Sequence, residues 1–203
     1  MIKNIISDIG DVLVKSDWRN FFGNKGFDEG MSEKLAKASF FSTVWKELDR
    51  GTLCFERVVE GFVQNAPEPE TTIHEAFADL HGFISKYPYS EEWIGRLKKD
   101  GMNVYCLSNI SDKICDDCKD ELDFLSLVDG RVLSYEEKLI KPDKAIFMRI
   151  LEKYGLSAGE SVFIDDLEEN VKAARSLGFH GIVFKSREQA EKDIERIRKE
   201  QRK

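Results

Sequence analysis

From residue 90 onward the chain alternates between short runs of β-branched and aromatic residues and longer stretches with helical periodicity. That order limits the fold more than any single residue does. Strands that alternate with helices form a parallel sheet, because each return to the sheet needs a crossover, and crossovers are right-handed. A first strand lies ahead of this region, where Ile2, Ile5 and Ile6 make a β-branched run that ends on Asp8. The later strands are expected at residues 103–107, 131–134, 161–164 and 180–184. Between them, Ser90 is expected to cap a helix that turns Trp93, Ile94 and Leu97 inward and stops at Gly101, and Ser111 to cap a shorter one. The helix after Lys141-Pro142 carries Ile146, Phe147, Ile150, Leu151 and Tyr154 on one face. Residues 168–177 bury Val171, Ala174 and Leu177 and end at Gly178. Residues 187–203 are charge-dense, with Ile194 and Ile197 as anchors, and read as a solvated terminal helix.

The block between the first strand and residue 89 has a different character. Gly23, Gly26 and Gly30 punctuate an aromatic entry holding Trp18, Phe21, Phe22 and Phe27. Phe55, Val58, Val59 and Phe62 then fall at i, i+3, i+4 and i+7, and Ile73, Phe77, Leu80 and Ile84 follow a similar helical spacing. Pro67 and Pro69 separate the two segments. No strand alternation is visible. The block reads as a small helical bundle, residues 15–88, inserted into a core made of residues 1–14 and 89–203, with Trp18, Phe21, Phe22, Phe40, Phe41 and Trp45 as its own packing units or as the lining of a pocket beneath it.

Composition removes several classes of function. A net charge of −7 offers no basic stripe to exchange for phosphate counterions, so nucleic acid is not an expected partner. No apolar run reaches the roughly 18 residues a membrane span needs, and no leader pattern opens the chain. Of Cys54, Cys106, Cys115 and Cys118 only Cys115 and Cys118 have metal-like spacing, and without a second pair or paired histidines they are expected to be free thiols and not a zinc site. A cytoplasmic protein, monomer or homodimer, is the expectation. Asp116, Asp117, Asp120, Glu121 and Asp123 lack the glycine and ligand alternation of a calcium loop, and Glu136, Glu137 and Lys138 read as a solvated loop. His74, His81 and His180 are isolated.

What is left is a set of polar residues at strand ends, where open α/β sheets bind ligands. Asp8, Ser108 with Asn109, Lys141, and Asp165 with Asp166 all fall there. Carboxylates brought close together repel and take up protons unless a cation holds them. Hard oxygen donors without histidine or thiolate suit Mg²⁺. A carboxylate beside such a metal and a lysine can attack phosphorus, with the cations neutralising the phosphoryl charge.

SDIGDVLV, LSNIS, KPDKAIF and VFIDDLEENVKAARSLGF stand in the order and spacing of the haloacid dehalogenase superfamily of hydrolases, which the chain resembles over about residues 1–14 and 90–186. KELDRGTLCFERVVEGF is similar to that family's helical cap. The likeness is to the subgroup of sugar-phosphate phosphatases and the phosphatase domain of soluble epoxide hydrolases. It implies a Rossmann-like three-layer α/β/α core with a parallel sheet and an inserted cap. It implies that Asp8 is the nucleophile and a metal ligand, that Gly10 lends its backbone carbonyl to Mg²⁺, and that Asp166 binds the metal directly, with Asp165 behind it or acting through water. Ser108 and Asn109 would hold phosphate or substrate, and Lys141 would tie Asp8 to the phosphate.

One position departs from the pattern. The family's phosphatases mostly carry a second aspartate two residues after the nucleophile, as general acid and base, and here that residue is Gly10. Asp11 is the neighbouring candidate for the role, set against a plain turn-stabilising carboxylate. The leading expectation is a Mg²⁺-dependent phosphatase for a small phosphorylated metabolite, perhaps a sugar phosphate. The alternatives are a 2-haloacid dehalogenase, whose halide leaving group needs no acid, and a weakly active or non-catalytic binding protein on the same fold.

Overall fold

The computed structural model describes residues 1–66 and 70–201. Pro67 and Pro69, read as a helix separator, lie outside the described residues, as do the last two residues. In chain order the elements are β1 (Asn4–Ser7), β2 (Val14–Ser16), α1 (Trp18–Asn24), α2 (Glu29–Ala38), α3 (Thr43–Arg50), α4 (Phe55–Asn65), α5 (Glu70–Ala76) and β3 (Ile84–Lys86). Then come α6 (Ser90–Lys99), β4 (Asn103–Ser108), α7 (Asp112–Asp117), β5 (Gly130–Leu133), α8 (Ser134–Glu137), α9 (Lys144–Tyr154), β6 (Ser161–Asp165), α10 (Glu168–Ser176), β7 (His180–Val183) and α11 (Arg187–Glu200).

Five strands form a parallel sheet in the order β5-β4-β1-β6-β7. The chain builds outward from β1 in one direction and then, from β6, in the other. The order therefore reverses beside β1, and the carboxyl ends of β4, β1 and β6 open onto the crevice such a reversal creates. All four residues of β1 are buried. Ile5 packs into the apolar layer on one face, with Val104 and Val162, and Ile6 into the other, with Tyr105 and Phe163. This is the period-two alternation of a strand covered on both sides.

The inserted block is helical, as its periodicity indicates, but two features differ from the sequence reading. It opens and closes with strands, since Val14 pairs with Lys86 and Ser16 with Ile84 in an antiparallel ribbon. Three-residue strands are too short to show alternation, and their pairing bridges some seventy residues. The helix expected to carry Ile73 through Ile84 ends at Ala76, and Ile84 lies in β3. Inside the block Phe21, Phe22, Phe40, Trp45, Phe62, Phe77 and Phe83 form one aromatic cluster, with Phe40 stacked on Phe83 at 4.5 Å. Phe41 stays 65% exposed and takes no part in that core.

The core grips this cap with its acidic segment. Asp117 accepts from the Leu80 N–H (2.7 Å), Glu121 from the Lys86 N–H (2.6 Å), and Asp123 from the Lys86 ammonium (2.6 Å). Ser90 does not cap α6. Its hydroxyl donates to the Leu13 carbonyl at 2.6 Å, which secures the chain's return to the core. Ser111 does cap α7, through the Ile114 N–H. The stretch read as a solvated loop at 136–138 is instead structured. Glu137 pairs with Arg149 (2.7 Å), and Lys138, in a left-handed conformation, donates to the Gly51 carbonyl of the cap (2.5 Å).

Candidate active site

β1 hands over to the site at Asp8, whose N–H is held by the Ile164 carbonyl of β6 (2.8 Å). Its Oδ1 accepts from the Ile9 N–H at 2.7 Å and pairs with the Lys141 ammonium at 2.8 Å. Among the described residues Oδ2 accepts no hydrogen bond and is left to act. Lys141, 3% exposed, also reaches Asp165 Oδ2 at 2.7 Å. One ammonium is thus shared by two buried carboxylates from neighbouring strand ends.

Asp165 is fully buried and its lone pairs are occupied. Oδ1 accepts from the Leu167 N–H (2.9 Å) and the Asn170 amide (3.0 Å), and Oδ2 from Lys141 and Asn170. Asp166 is half-buried, and among the described residues its carboxylate takes no hydrogen bond from another residue. Carboxylate oxygens of Asp8, Asp165 and Asp166 lie within 4.8 Å of one another. Such a trio of hard donors fits a small divalent cation.

The electrostatics match that geometry. Burial pushes Asp8 up to about 7, Lys141 pulls it back, and Asp165 and Asp166 add to the rise. Asp166 is pushed up to about 6 by burial, then by Asp165 and Asp11. Burial alone would lower Lys141, but the charges of Asp8 and Asp165 outweigh it and hold the ammonium above its usual range. The cluster is short of positive charge, which a metal would supply.

The remaining predicted residues fall nearby. Ser108 ends β4 and lines a cavity of about 130 Å³ together with Ile9 and Gly10, the residues that follow Asp8. Asn109 lines it too, but its carboxamide is engaged: Oδ1 accepts from the Lys141 N–H (2.8 Å) and Nδ2 donates to the Lys141 carbonyl (3.0 Å). The side chain expected to hold phosphate or substrate thus also positions the lysine backbone, and its second Nδ2 proton is not used in that pairing. Asp11 has a positive φ of 51° and accepts from the Ser16 N–H at 3.0 Å, an exposed turn contact at the start of the ribbon.

Sequence reasoning missed the cap's share of this cavity. Trp45 and Phe83 wall it, and so does Asp49, the residue after the buried Leu48. An acidic residue one turn beyond Trp45, on the inward stripe of an amphipathic helix, was the available signal.

A model of haloacid dehalogenase-like hydrolases matches residues 2–178, and the chain belongs to that family. It is 24% identical over 200 residues to the drimenol cyclase drtB of Aspergillus calidoustus, covering 97% of this chain but only 37% of that protein. It is 27% identical over 180 residues to the sesquiterpene phosphatase astK of Aspergillus oryzae, covering 89% of this chain and 88% of that one. Among solved structures, the HAD family enzyme bt-2542 of Bacteroides thetaiotaomicron, wild-type and in complex with magnesium and inorganic phosphate, matches with a TM-score of 0.67 and 25% identity, over 92% of this chain and 96% of that one. The parallel core and the class of enzyme, a hydrolase with phosphatase relatives, stand on this agreement. Among the described residues no helix is long and apolar enough to cross a membrane.

Proposed function

We propose that this hydrolase is a Mg²⁺-dependent phosphomonoesterase for a small phosphorylated metabolite, working through an aspartyl-phosphate on Asp8. The observation that carries the reading is the sharing of Lys141 between Asp8 and Asp165, with Asp166 beside them. That arrangement keeps the nucleophile's Oδ2 free while gathering cations around the place a phosphoryl group must occupy. Mg²⁺, when bound by Asp8, Asp166 and the Gly10 carbonyl, would supply charge neutralisation for the transferring phosphoryl. Lys141 orients Asp8 and shares the negative load, and Ser108 offers a hydroxyl to a phosphate oxygen. The cavity of about 130 Å³ suits a compact leaving group, a sugar-sized or smaller alcohol. Free phosphate-ester metabolites and four unpaired cysteines fit a cytoplasmic enzyme, acting as monomer or homodimer without nucleic acid.

A metal-independent dehalogenase would leave the acidic pair at 165–166 without a task. The test is a panel of phosphomonoesters with Mg²⁺. Phosphate release is expected, lost on addition of EDTA and in Asp8→Asn. No hydrolysis across the panel, or chloride release from chloroacetate that EDTA does not affect, overturns the reading.

A further inference from the structure

Gly10 removes the side chain that would protonate the leaving group, and nothing has filled its place. A Cβ built there would meet only the Ser16 hydroxyl, at 4.0 Å. The same cavity has one titratable residue in its wall, and it comes from the cap: Asp49, near the end of α3. Its Oδ1 is sealed from solvent and, among the described residues, has no hydrogen-bond partner. A carboxylate left in that condition is costly, so it either carries a proton or meets a ligand.

The backbone around Asp49 is tightly held, while its side chain has the Trp45 indole as a partner and leaves Oδ1 unpaired. The Ser134 hydroxyl donates to the Asp49 carbonyl (2.5 Å), Lys138 to the Gly51 carbonyl (2.5 Å), and Arg50 pairs with Asp143 (3.4 Å). All three bonds join the cap to the core. They fix where the carboxyl points without using its oxygens.

We infer that Asp49 is the general acid and base of the reaction, donated by the cap in place of the residue missing at Gly10. The inference rests on the phosphomonoesterase reading above. In the first half-reaction Asp8 Oδ2 bonds to phosphorus, the ester P–O bond breaks, and the departing alkoxide takes the proton of the Asp49 carboxyl. In the second, a water oxygen bonds to phosphorus, Asp49 takes the proton that water loses, and the P–O bond to Asp8 breaks, returning both carboxyls to their starting states. The groups facing Asp49 allow both directions. Burial and the charge of Asp8 push it up to about 7, while Lys141 across the cleft and the Trp45 indole on its own helix pull it down. A group poised there exchanges protons in either sense near neutrality.

The experiment compares leaving groups in wild type, Asp49→Asn and Asp49→Glu, with Mg²⁺ present. p-Nitrophenyl phosphate expels an anion that needs no proton, and glycerol phosphate expels one that does. Asp49→Asn is expected to lose about 10²–10⁴-fold in turnover of glycerol phosphate. It should keep a rapid first-turnover burst of nitrophenolate, followed by slow turnover as phosphorylated enzyme accumulates, visible by intact mass. The burst also reports that the variant is folded. Asp49→Glu should recover part of the glycerol phosphate activity. Equal losses of the first-turnover rate on both esters, no loss of turnover on either, or a burst that vanishes while the variant remains folded would overturn the assignment. A wild type that hydrolyses neither ester sinks the phosphomonoesterase reading itself, a separate result.

Discussion

The two walls of the cleft are built on opposite plans. On the core side, the strand ends carry Asp8, Lys141 and Asp165 in a network where Asp165 has every oxygen occupied and Lys141 is shared at 2.8 and 2.7 Å. On the cap side, Trp45, Phe83 and Asp49 face the same cavity, with Asp49 Oδ1 lacking any partner. Buried polar networks hold geometry well when they are satisfied, and unsatisfied polar atoms are costly. The core wall is therefore preorganised around Asp8, and the cap wall keeps one buried carboxylate oxygen unpaired.

The sharpest break of that contrast is to remove the shared ammonium. Lys141→Met would leave two buried carboxylates adjacent without a counter-ion. Breaking a buried pair from one side costs about 3–5 kcal/mol, and here two pairs go at once. The expected result is a large drop in urea midpoint together with loss of phosphatase activity. A variant as stable as wild type would mean that the network is not the organising charge arrangement.

The next test separates the walls by pH. Asp8 and Asp166 are raised from 3.8 to about 7 and about 6 in the folded protein. A folded state with raised carboxyls binds protons more tightly than the unfolded chain. Its extra stability is full below about pH 4 and is lost as pH rises toward 7. In EDTA the melting temperature should fall between about pH 5 and about pH 8, by on the order of 5 °C. Mg²⁺ should cancel the core's part of this fall. Asp49, also raised to about 7, should leave a residue that Asp49→Asn removes. A pH profile unchanged by Mg²⁺ would argue against a metal at the trio.

How far each wall was readable in the sequence follows from the same contrast. Asp8 and Asp165-Asp166 terminate apolar runs that can only be buried strands, and β1 and β6 pair in register, so adjacency in the sheet brings the carboxylates together. Lys141 sits in an irregular segment, and only the family resemblance placed it. Asp49 was hidden because its meaning depends on Ser134, 85 positions away, and on a cap whose connecting ribbon was too short to detect. Asn109 illustrates a different limit: its pairing with the Lys141 backbone is a contact that no spacing could reveal.

The latch that presents Asp49 can be broken without touching the carboxylate. Gly51 ends α3 with φ +69°, and a Cβ there would lie 2.7 Å from both the Tyr135 carbonyl oxygen and the Lys138 ammonium. Gly82 has a similar φ of +77° but open space around it. Both Gly→Ala changes carry the left-handed backbone cost, on the order of 1 kcal/mol, and only Gly51→Ala adds the clash. Gly51→Ala should therefore lose more stability than Gly82→Ala and also slow glycerol phosphate turnover, while Gly82→Ala should not. Matching effects would show that the Gly51 contact does not position the cap wall.

The smallest expected effect belongs to Asp11, the core-side candidate for the missing acid. Its carboxylate accepts from the Ser16 N–H in an exposed turn, a bond worth about 1 kcal/mol. Asp11→Ala should cost a stability decrement of that size. The rest of its influence is electrostatic, since its charge helps to raise Asp166 and its removal should lower Asp166 slightly. In the leaving-group comparison Asp11→Ala should affect glycerol phosphate and p-nitrophenyl phosphate alike, and only modestly, because neither proton passes through it. If instead it loses glycerol phosphate activity selectively and Asp49→Asn does not, the acid belongs to the core wall, and the division of labour between core and cap is reversed.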